Sequence, residues 1–435
     1  MFKVLSSVWA LLLGIVLIML GNGMHSTLIG VRGGIENFSS AELAIVTSAY
    51  FAGFLSGARL TPVMLRRVGH VRVFAALGSF MSAALIAFPL LTEPWAWTPL
   101  RILVGFCMSG IYVTAESWLN DAATNETRGK VLSAYMIAQT LGIIGAQGLL
   151  TLGDAATSVL FIGASILVSV SFAPILLSVS SVPVTEAAKA MPLRELFVEA
   201  PLSTVGIFLL GSVYATQSGM GAVFGTKIDL TTAQIALFIG MLFAGALLFQ
   251  YPIGWLSDRM DRRKLIFGAA LMGGISCALG WMAGDQLWPL MAAAFFAGGM
   301  TTPLYALFLA YTNDFLTLEE MPAASGALVL TFGIGAISGP LVTGWAMQQF
   351  GPYAFWLVLV VTFGAIALYA LYRMTKREAM SADETESYLG VLPTASPMAV
   401  ETAGVWAAEQ AEAEAEAEAE SETETETEKE DPARP

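Results

Sequence analysis

The sequence predicts an all-α membrane protein with twelve transmembrane helices, and three observations carry that prediction. Hydrophobic residues make up 56% of the 435 residues and charged residues only 13%, where a soluble chain carries about a quarter charged residues. The few charges are gathered into loops and the C-terminal tail. Between loop signals lie twelve apolar runs of about 20 residues, the length that crosses a bilayer core of about 30 Å.

The runs fall at 4–24, 42–62, 72–92, 98–120, 130–151, 157–179, 202–224, 232–256, 265–284, 287–312, 322–347 and 352–372. The first follows a single Lys3, and no small-residue cleavage site comes after Leu20, so it reads as a retained span. Between the sixth and seventh, Ser180 to Pro201 is rich in polar residues and proline and contains MPLRELF, the pattern of a linker with a short surface helix. The eighth run empties into QYPIGWLSDRMDRRK, Gln250 to Lys264, a knot of charge where the chain leaves hydrocarbon for water. From Arg373 the chain carries 17 acidic against 5 basic residues, net −12, whereas residues 1–372 carry 17 against 16. The acidity belongs to the tail. Its alternating Ala-Glu and Thr-Glu stretches bury nothing and repel one another, so disorder is the expectation.

Placing the N-terminus inside puts sixteen of the 21 basic residues at the ends of spans on one side. Positive residues near span ends are retained in the cytoplasm, so both termini are expected there and the protein in an inner or plasma membrane. Sliding the chain by 192 residues lays Phe51-Ala52-Gly53 on Phe243-Ala244-Gly245, Arg67 on Arg259 and Arg72 on Lys264. Sliding it by 193 lays Tyr112 on Tyr305, Asn120-Asp121 on Asn313-Asp314 and Gly142 on Gly335. Six spans separate equivalent points, so the halves run parallel through the membrane. The expected organisation is a six-helix bundle at 1–179, a linker at 180–201, a second bundle at 202–372 and an acidic cytoplasmic tail at 373–435.

Two parallel six-helix halves, a polar linker and a charged loop between the second and third spans of each half resemble bacterial-type members of the major facilitator superfamily. Gly254, Leu256, Asp258, Arg259, Arg262 and Arg263 match that family's loop signature, approximately G-x-L-x-D-R-x-G-R-K, with Asp261 where the second glycine is usual. The first-half copy, PVMLRRVGHVR, keeps Arg67, Gly69 and Arg72 but has Pro62 for the first glycine and Arg66 for the aspartate. Arg101-Ile-Leu-Val-Gly105 resembles the family's arginine motif in the fourth span. The family's antiporters carry a Gly-Pro motif in the fifth span; here Gln147 interrupts the pattern, and Gly142, Gly145 and Gly148, with Gly333, Gly335, Gly339 and Gly344 in the eleventh span, read as close-packing positions. The resemblance implies a transporter working by alternating access.

Charged groups inside a membrane are costly, so each one asks for a role. Arg101, Tyr112 and Glu116 share one face of the fourth span, yet Arg101 and Glu116 lie about 22 Å apart along the axis and cannot pair. Arg101 is read either as a cavity-facing anion or proton-coupling group, which the resemblance supports, or as an arginine snorkelling from the outer end. Glu116 is read either as a proton carrier or as a brace for the charged loop, in which Arg66 depends on Glu116 or on Asp121. Asn22 and His25 in the first span, Tyr214, Gln217 and Ser218 in the seventh, and Tyr305 in the tenth offer hydrogen-bonding groups for a small organic solute or, equally, glue between helices. Arg66, Arg67, Asp258, Arg259 and Arg262 are the candidate gating charges, with Asp258 and Arg259 expected to hold the inner helix ends together in the outward-open state and to release them when the halves rock.

Other chemistries find little support. Gly221 to Lys227 imitates a phosphate loop, but its glycine spacing is one short and Ile228 stands where Ser or Thr is required. Two histidines and two cysteines in separate runs, Cys107 and Cys277, form no metal pattern and no expected disulfide, and no cofactor is implied. Basic residues without interleaved aromatics argue against nucleic-acid binding. The expected function is secondary active transport of a small organic solute by a monomer, coupled to protons; the opposing expectation is a non-transporting membrane sensor or assembly partner acting through its acidic tail.

Overall fold

The computed structural model describes residues 2–176, 191–317, 320–376, 388 and 390–407, with side chains for all of these except 2–8, 121, 122, 125, 126, 175 and 322. The first half comprises α1 (Phe2–Ile35), α2 (Ser40–Val68), α3 (His70–Ala87), α4 (Pro94–Ala122), α5 (Asn125–Leu150) and α6 (Val159–Leu176). A short helix α7 (Leu193–Glu199) precedes the second half. There the seventh span is built from α8 (Pro201–Ala215), a π-turn (Thr216–Met220) and α9 (Gly221–Lys227), followed by α10 (Thr232–Ser257), α11 (Arg262–Met282), α12 (Leu287–Asn313), α13 (Met321–Phe350) and α14 (Ala354–Met374). Eleven of these units are long and apolar enough to cross a membrane, and the sixth span contributes the shorter apolar helix Val159–Pro174. The resemblance to a phosphate loop at 221–227 disappears into α9, which has no loop to cradle a phosphate.

The internal repeat is visible in local chemistry. Ser39 caps α2 through a reciprocal box with Glu42, and at the equivalent place Thr231 caps α10 through the same box with Gln234. Each box satisfies two backbone N–H groups that a helix start leaves open. A Cβ on Gly53 would meet the Ile102 carbonyl oxygen at 1.9 Å, and one on Gly245 would meet that of Phe295 at the same distance. The reciprocal contacts, Gly105 on Tyr50 and Gly298 on Leu242, lie at 1.9 and 2.2 Å. Only glycine lets α2 lie backbone to backbone on α4, and α10 on α12, as small residues do between membrane helices. Gly335 makes the same approach to the Phe208 carbonyl at 1.8 Å, whereas Gly148, expected to pack closely, meets nothing within 4 Å.

The two halves touch most closely at the end away from the basic loops. There a Cβ on Gly30 would lie 2.7 Å from Ala222, on Gly34 2.1 Å from Thr226, and on Gly344 2.3 Å from Ala44. Lys227 Nζ donates to the Phe38 carbonyl at 3.0 Å, and the Ala41 N–H donates to Gln348 Oε1 at 3.3 Å. At the basic end the halves are bridged by chain from beyond α14. Residues 388 and 390–407 lie between them, ending in a helix, α15, at 397–407. This differs from the expectation of a disordered tail, and the reason is compositional: 388–407 carry one charge, Glu401, and are otherwise small or apolar. The glutamate-rich run follows at 408–435, outside the described residues.

Candidate functional site

Between the halves lies a cavity with about 610 Å³ of space not filled by atoms, part of it open to solvent. Its wall is assembled from α1, α2, α4 and α5 of one half and from α8, the π-turn and α10 of the other, with Thr394 of the tail closing one side. Asn22, Tyr50, Arg101, Tyr112, Gln147 and Tyr214 supply the main polar lining. The mixture of aromatic faces with a few polar groups is the usual chemistry of organic-solute sites.

Arg101 is 4% exposed, so it turns inward and does not snorkel. Its guanidinium sits 4.6 Å over the Tyr50 ring, an arrangement in which the ring's negative face attracts the cation. His25 Nδ1 lies 3.5 Å from Arg101 Nη1, at the outer limit of a hydrogen bond. Arginine has no acceptor capacity, so this contact requires an unprotonated Nδ1 and puts the imidazole hydrogen on Nε2. That nitrogen has no partner, and the ring packs edge-on against Phe88 at 4.7 Å and Phe161 at 5.9 Å. His25 therefore stands behind Arg101 and outside the cavity wall. No carboxylate pairs with Arg101 among the described residues, and its Nε is unpartnered.

The other expected contact residues divide. Asn22, Tyr112 and Tyr214 line the cavity; the Tyr112 hydroxyl donates to Met19 Sδ at 3.2 Å. Gln217 sits in the π-turn, lines a smaller adjoining pocket and accepts a hydrogen bond from Thr301 Oγ1 at 2.9 Å, leaving its Nε2 free. π-turns insert a residue into a helix and recur at functional sites. Tyr305, expected by symmetry with Tyr112, is fully buried against Phe332, 5.4 Å between ring centres, with its hydroxyl unpartnered. Tyr50 and Gln147 are two of several wall residues that the sequence reading did not assign to the site. Tyr50 stands just before the repeated Phe-Ala-Gly, and Gln147 had been read only as a break in a glycine pattern. Gln147 accepts from the Thr27 hydroxyl at 3.0 Å and donates to the Ile143 carbonyl at 3.2 Å.

At the basic end the expected charge network is largely rearranged. Arg66 and Arg67 are exposed and have no ionic or hydrogen-bond partner among the described residues. Glu116 does not brace Arg66: it is 3% exposed, accepts from the Tyr135 hydroxyl at 2.9 Å and accepts the backbone N–H of Ser396 at 3.0 Å. The side chain of Asp121 lies outside the described residues. Asp258 and Arg259, expected to hold the inner helix ends in an outward-open state, take other partners in this arrangement. Arg259 folds back over Trp255 at 4.4 Å and donates to the Trp255 carbonyl at 3.1 Å, while Asp258 accepts the Tyr388 N–H at 2.8 Å. Burial pushes the Asp258 carboxyl above the usual range, against the opposing pull of that N–H and of Arg262 and Arg259. Arg262 is the buried anchor, donating to the Ala310 carbonyl and Ser257 Oγ at 3.2 Å each and pairing with Asp314. Asp261 caps α11 and pairs with Arg263 at 2.9 Å; burial raises its pKa, but the Arg263 side chain, the Arg263 N–H and Lys264 outweigh that and hold it below the usual range.

A two-half helical bundle around a central cavity is the architecture of a membrane transporter. Residues 11–244 and 202–407 match the Major Facilitator Superfamily, and the chain belongs to that family. It is 25% identical over 349 residues to the MFS-type transporter YcaD of Escherichia coli O17:K52:H18, covering 79% of this chain and 89% of that one. The YcaD of Escherichia fergusonii is 24% identical over 351 residues. Among solved structures, a point mutant of the nucleoside transporter NupG superposes with a TM-score of 0.74 at 14% identity, covering 84% of this chain and 98% of that one. A bacterial homologue of the human lysosomal transporter Spinster, in an inward-facing and unoccupied conformation, gives 0.63 at 14% identity, covering 91% and 97%.

Proposed function

We propose that this protein is a secondary active transporter that carries a small organic solute through the cavity between its halves, driven by protons. The observation that carries the reading is Arg101: a buried cation in the wall of a central cavity, held by an aromatic face and a histidine and without a carboxylate partner among the described residues. A charge so placed is stabilised most by a solute that brings an anionic or strongly polar group to it. Rocking of the halves about that site exposes it to either side in turn. The basic loops are read as cytoplasmic, in an inner or plasma membrane, because positive residues at span ends are retained on that side. Glu116 is the group assigned to the proton, since a carboxylate within the bundle can move between charged and neutral forms as water enters or leaves.

The test is flux in reconstituted vesicles. Solutes are first selected by thermal shift of the purified protein against classes of metabolite. For any hit, an imposed pH gradient is expected to speed uptake, and Arg101→Gln to reduce uptake at least tenfold. In Glu116→Gln, solute exchange is expected to persist while the gradient no longer accelerates it. Gradient-driven uptake in Glu116→Gln equal to that of the parent protein rejects the proton assignment; full flux in Arg101→Gln rejects the site. Cutting the chain after residue 380 separates transport from the tail-driven sensor reading, because a transporter keeps its flux.

A further inference from the structure

The mouth of the cavity at the basic end is a built site, and what fills it is this chain's own segment from 388 to 407. Glu116 and Asp258, one from each half, each accept a backbone N–H of the segment, from Ser396 at 3.0 Å and from Tyr388 at 2.8 Å. Carboxylates that accept main-chain N–H groups recognise a peptide backbone without regard to its side chains, and such charge-assisted bonds are stronger than neutral ones. Side-chain selection comes from burial. Val391, Ala395, Ala399 and Val400 are each 4% exposed or less, far below what a solvated tail shows.

The fit is close on both sides. A Cβ on Gly390 would lie 2.5 Å from Gln250 Nε2, and one on Gly404 2.9 Å from Asn313 Nδ2, both in the second half. On the first half the Trp406 ring lies against Gly129, with a built Cβ at 2.5 Å, and the Thr402 hydroxyl reaches Asn120 Oδ1 at 3.4 Å. Leu392, Pro393 and Thr394 line the part of the cavity that opens toward this end, and Thr394 also reaches the central wall. A solute leaving toward the basic loops meets the segment in its path.

We propose that the cavity mouth is a peptide-binding site whose ligand is the chain's own segment 388–407, and that the seated segment closes the route between the central cavity and the basic end. The inference goes beyond the transport reading and does not rest on it, since occupancy and closure are read without any flux. The bonding pattern defines the ligand class: a small-residue, nearly uncharged peptide with an irregular, turn-containing start and a helical end.

The full-length protein in lipid nanodiscs tests both parts. Cys107 and Cys277 are buried and free and serve as a slow background. The pair Gln250→Cys with Gly390→Cys is expected to form a disulfide at least tenfold faster than a control pair of Arg66→Cys with Gly390→Cys. Equal rates overturn the seating. Thr140→Cys, in the wall behind the segment, is expected to react with a hydrophilic maleimide at least tenfold faster when Ala399→Asp or Val400→Asp is added. Both substitutions lie outside the twelve spans, and a retained thermal transition separates unseating from loss of the bundle. Unchanged reactivity at Thr140→Cys in both charged variants overturns the closure.

Discussion

The corner between α2 and α3 and the corner between α10 and α11 occupy equivalent places in the two halves and are held by different chemistry. In the second half Arg262 is buried and ties Asp314, the Ala310 carbonyl and Ser257 together. In the first half the equivalent residue is His70, which makes one hydrogen bond, to Ser117 at 2.9 Å, where Ser117 is the counterpart of Ala310. Gly69 turns the first corner with φ of 82°, a conformation that side chains disfavour, whereas Asp261 turns the second with φ of −52° and caps the next helix. The backbone plan was kept while the electrostatics diverged. The second corner is locked internally, and the first leaves its arginines in solvent and its buried acid, Glu116, to the tail.

That comparison can be broken at several points. The largest effect belongs to Arg262→Ala, which breaks the buried pair with Asp314; removing one partner of a buried pair costs about 3–5 kcal/mol. A drop of the thermal transition is the expected result, and Arg262→Met with Asp314→Leu should recover most of it. Next come Gly53→Ala and Gly245→Ala, each forcing a methyl into the facing helix backbone at a cost of about 1–3 kcal/mol. The two should lower the transition to a similar extent, because the packing is shared by the halves; a large effect in only one would undo the symmetry described above. His70→Phe removes a single hydrogen bond and should cost about 1 kcal/mol. If it matched Arg262→Ala, the two corners would be energetically equivalent after all. Arg66→Ala and Arg67→Ala should stay within about 0.5 kcal/mol, as exposed substitutions without partners do.

The fold was legible because it is written in features that need no tertiary knowledge. Apolar length gave the spans, and the two registers of the repeat, 192 and 193, placed Gly53 on Gly245 and Gly142 on Gly335, each of which proves to be a helix contact. The cavity was half legible. Helical geometry brought Arg101 and Tyr112 to one wall, but it could not tell that His25 stands behind that wall or that Tyr305 is sealed under Phe332, since such facts depend on how a neighbouring helix is rotated. The charge partners were the least legible. Pairing Glu116 with Arg66 assumed that opposite charges at one membrane face would meet, whereas the structure gives Glu116, and Asp258 with it, to main-chain N–H groups far along the chain. The apolar character of 388–407 was the signal for this, hidden by the acidic composition of the tail around it.

Between the end of α14 at Met374 and Tyr388 lie 13 residues. A ligand on so short a tether is presented to its seat at an effective concentration on the order of millimolar. The segment can therefore have weak intrinsic affinity and still fill the mouth, and a free peptide of the same sequence competes with it poorly. The same arithmetic sets how it is displaced: overcoming a tenfold excess of the seated form takes only about 1.4 kcal/mol.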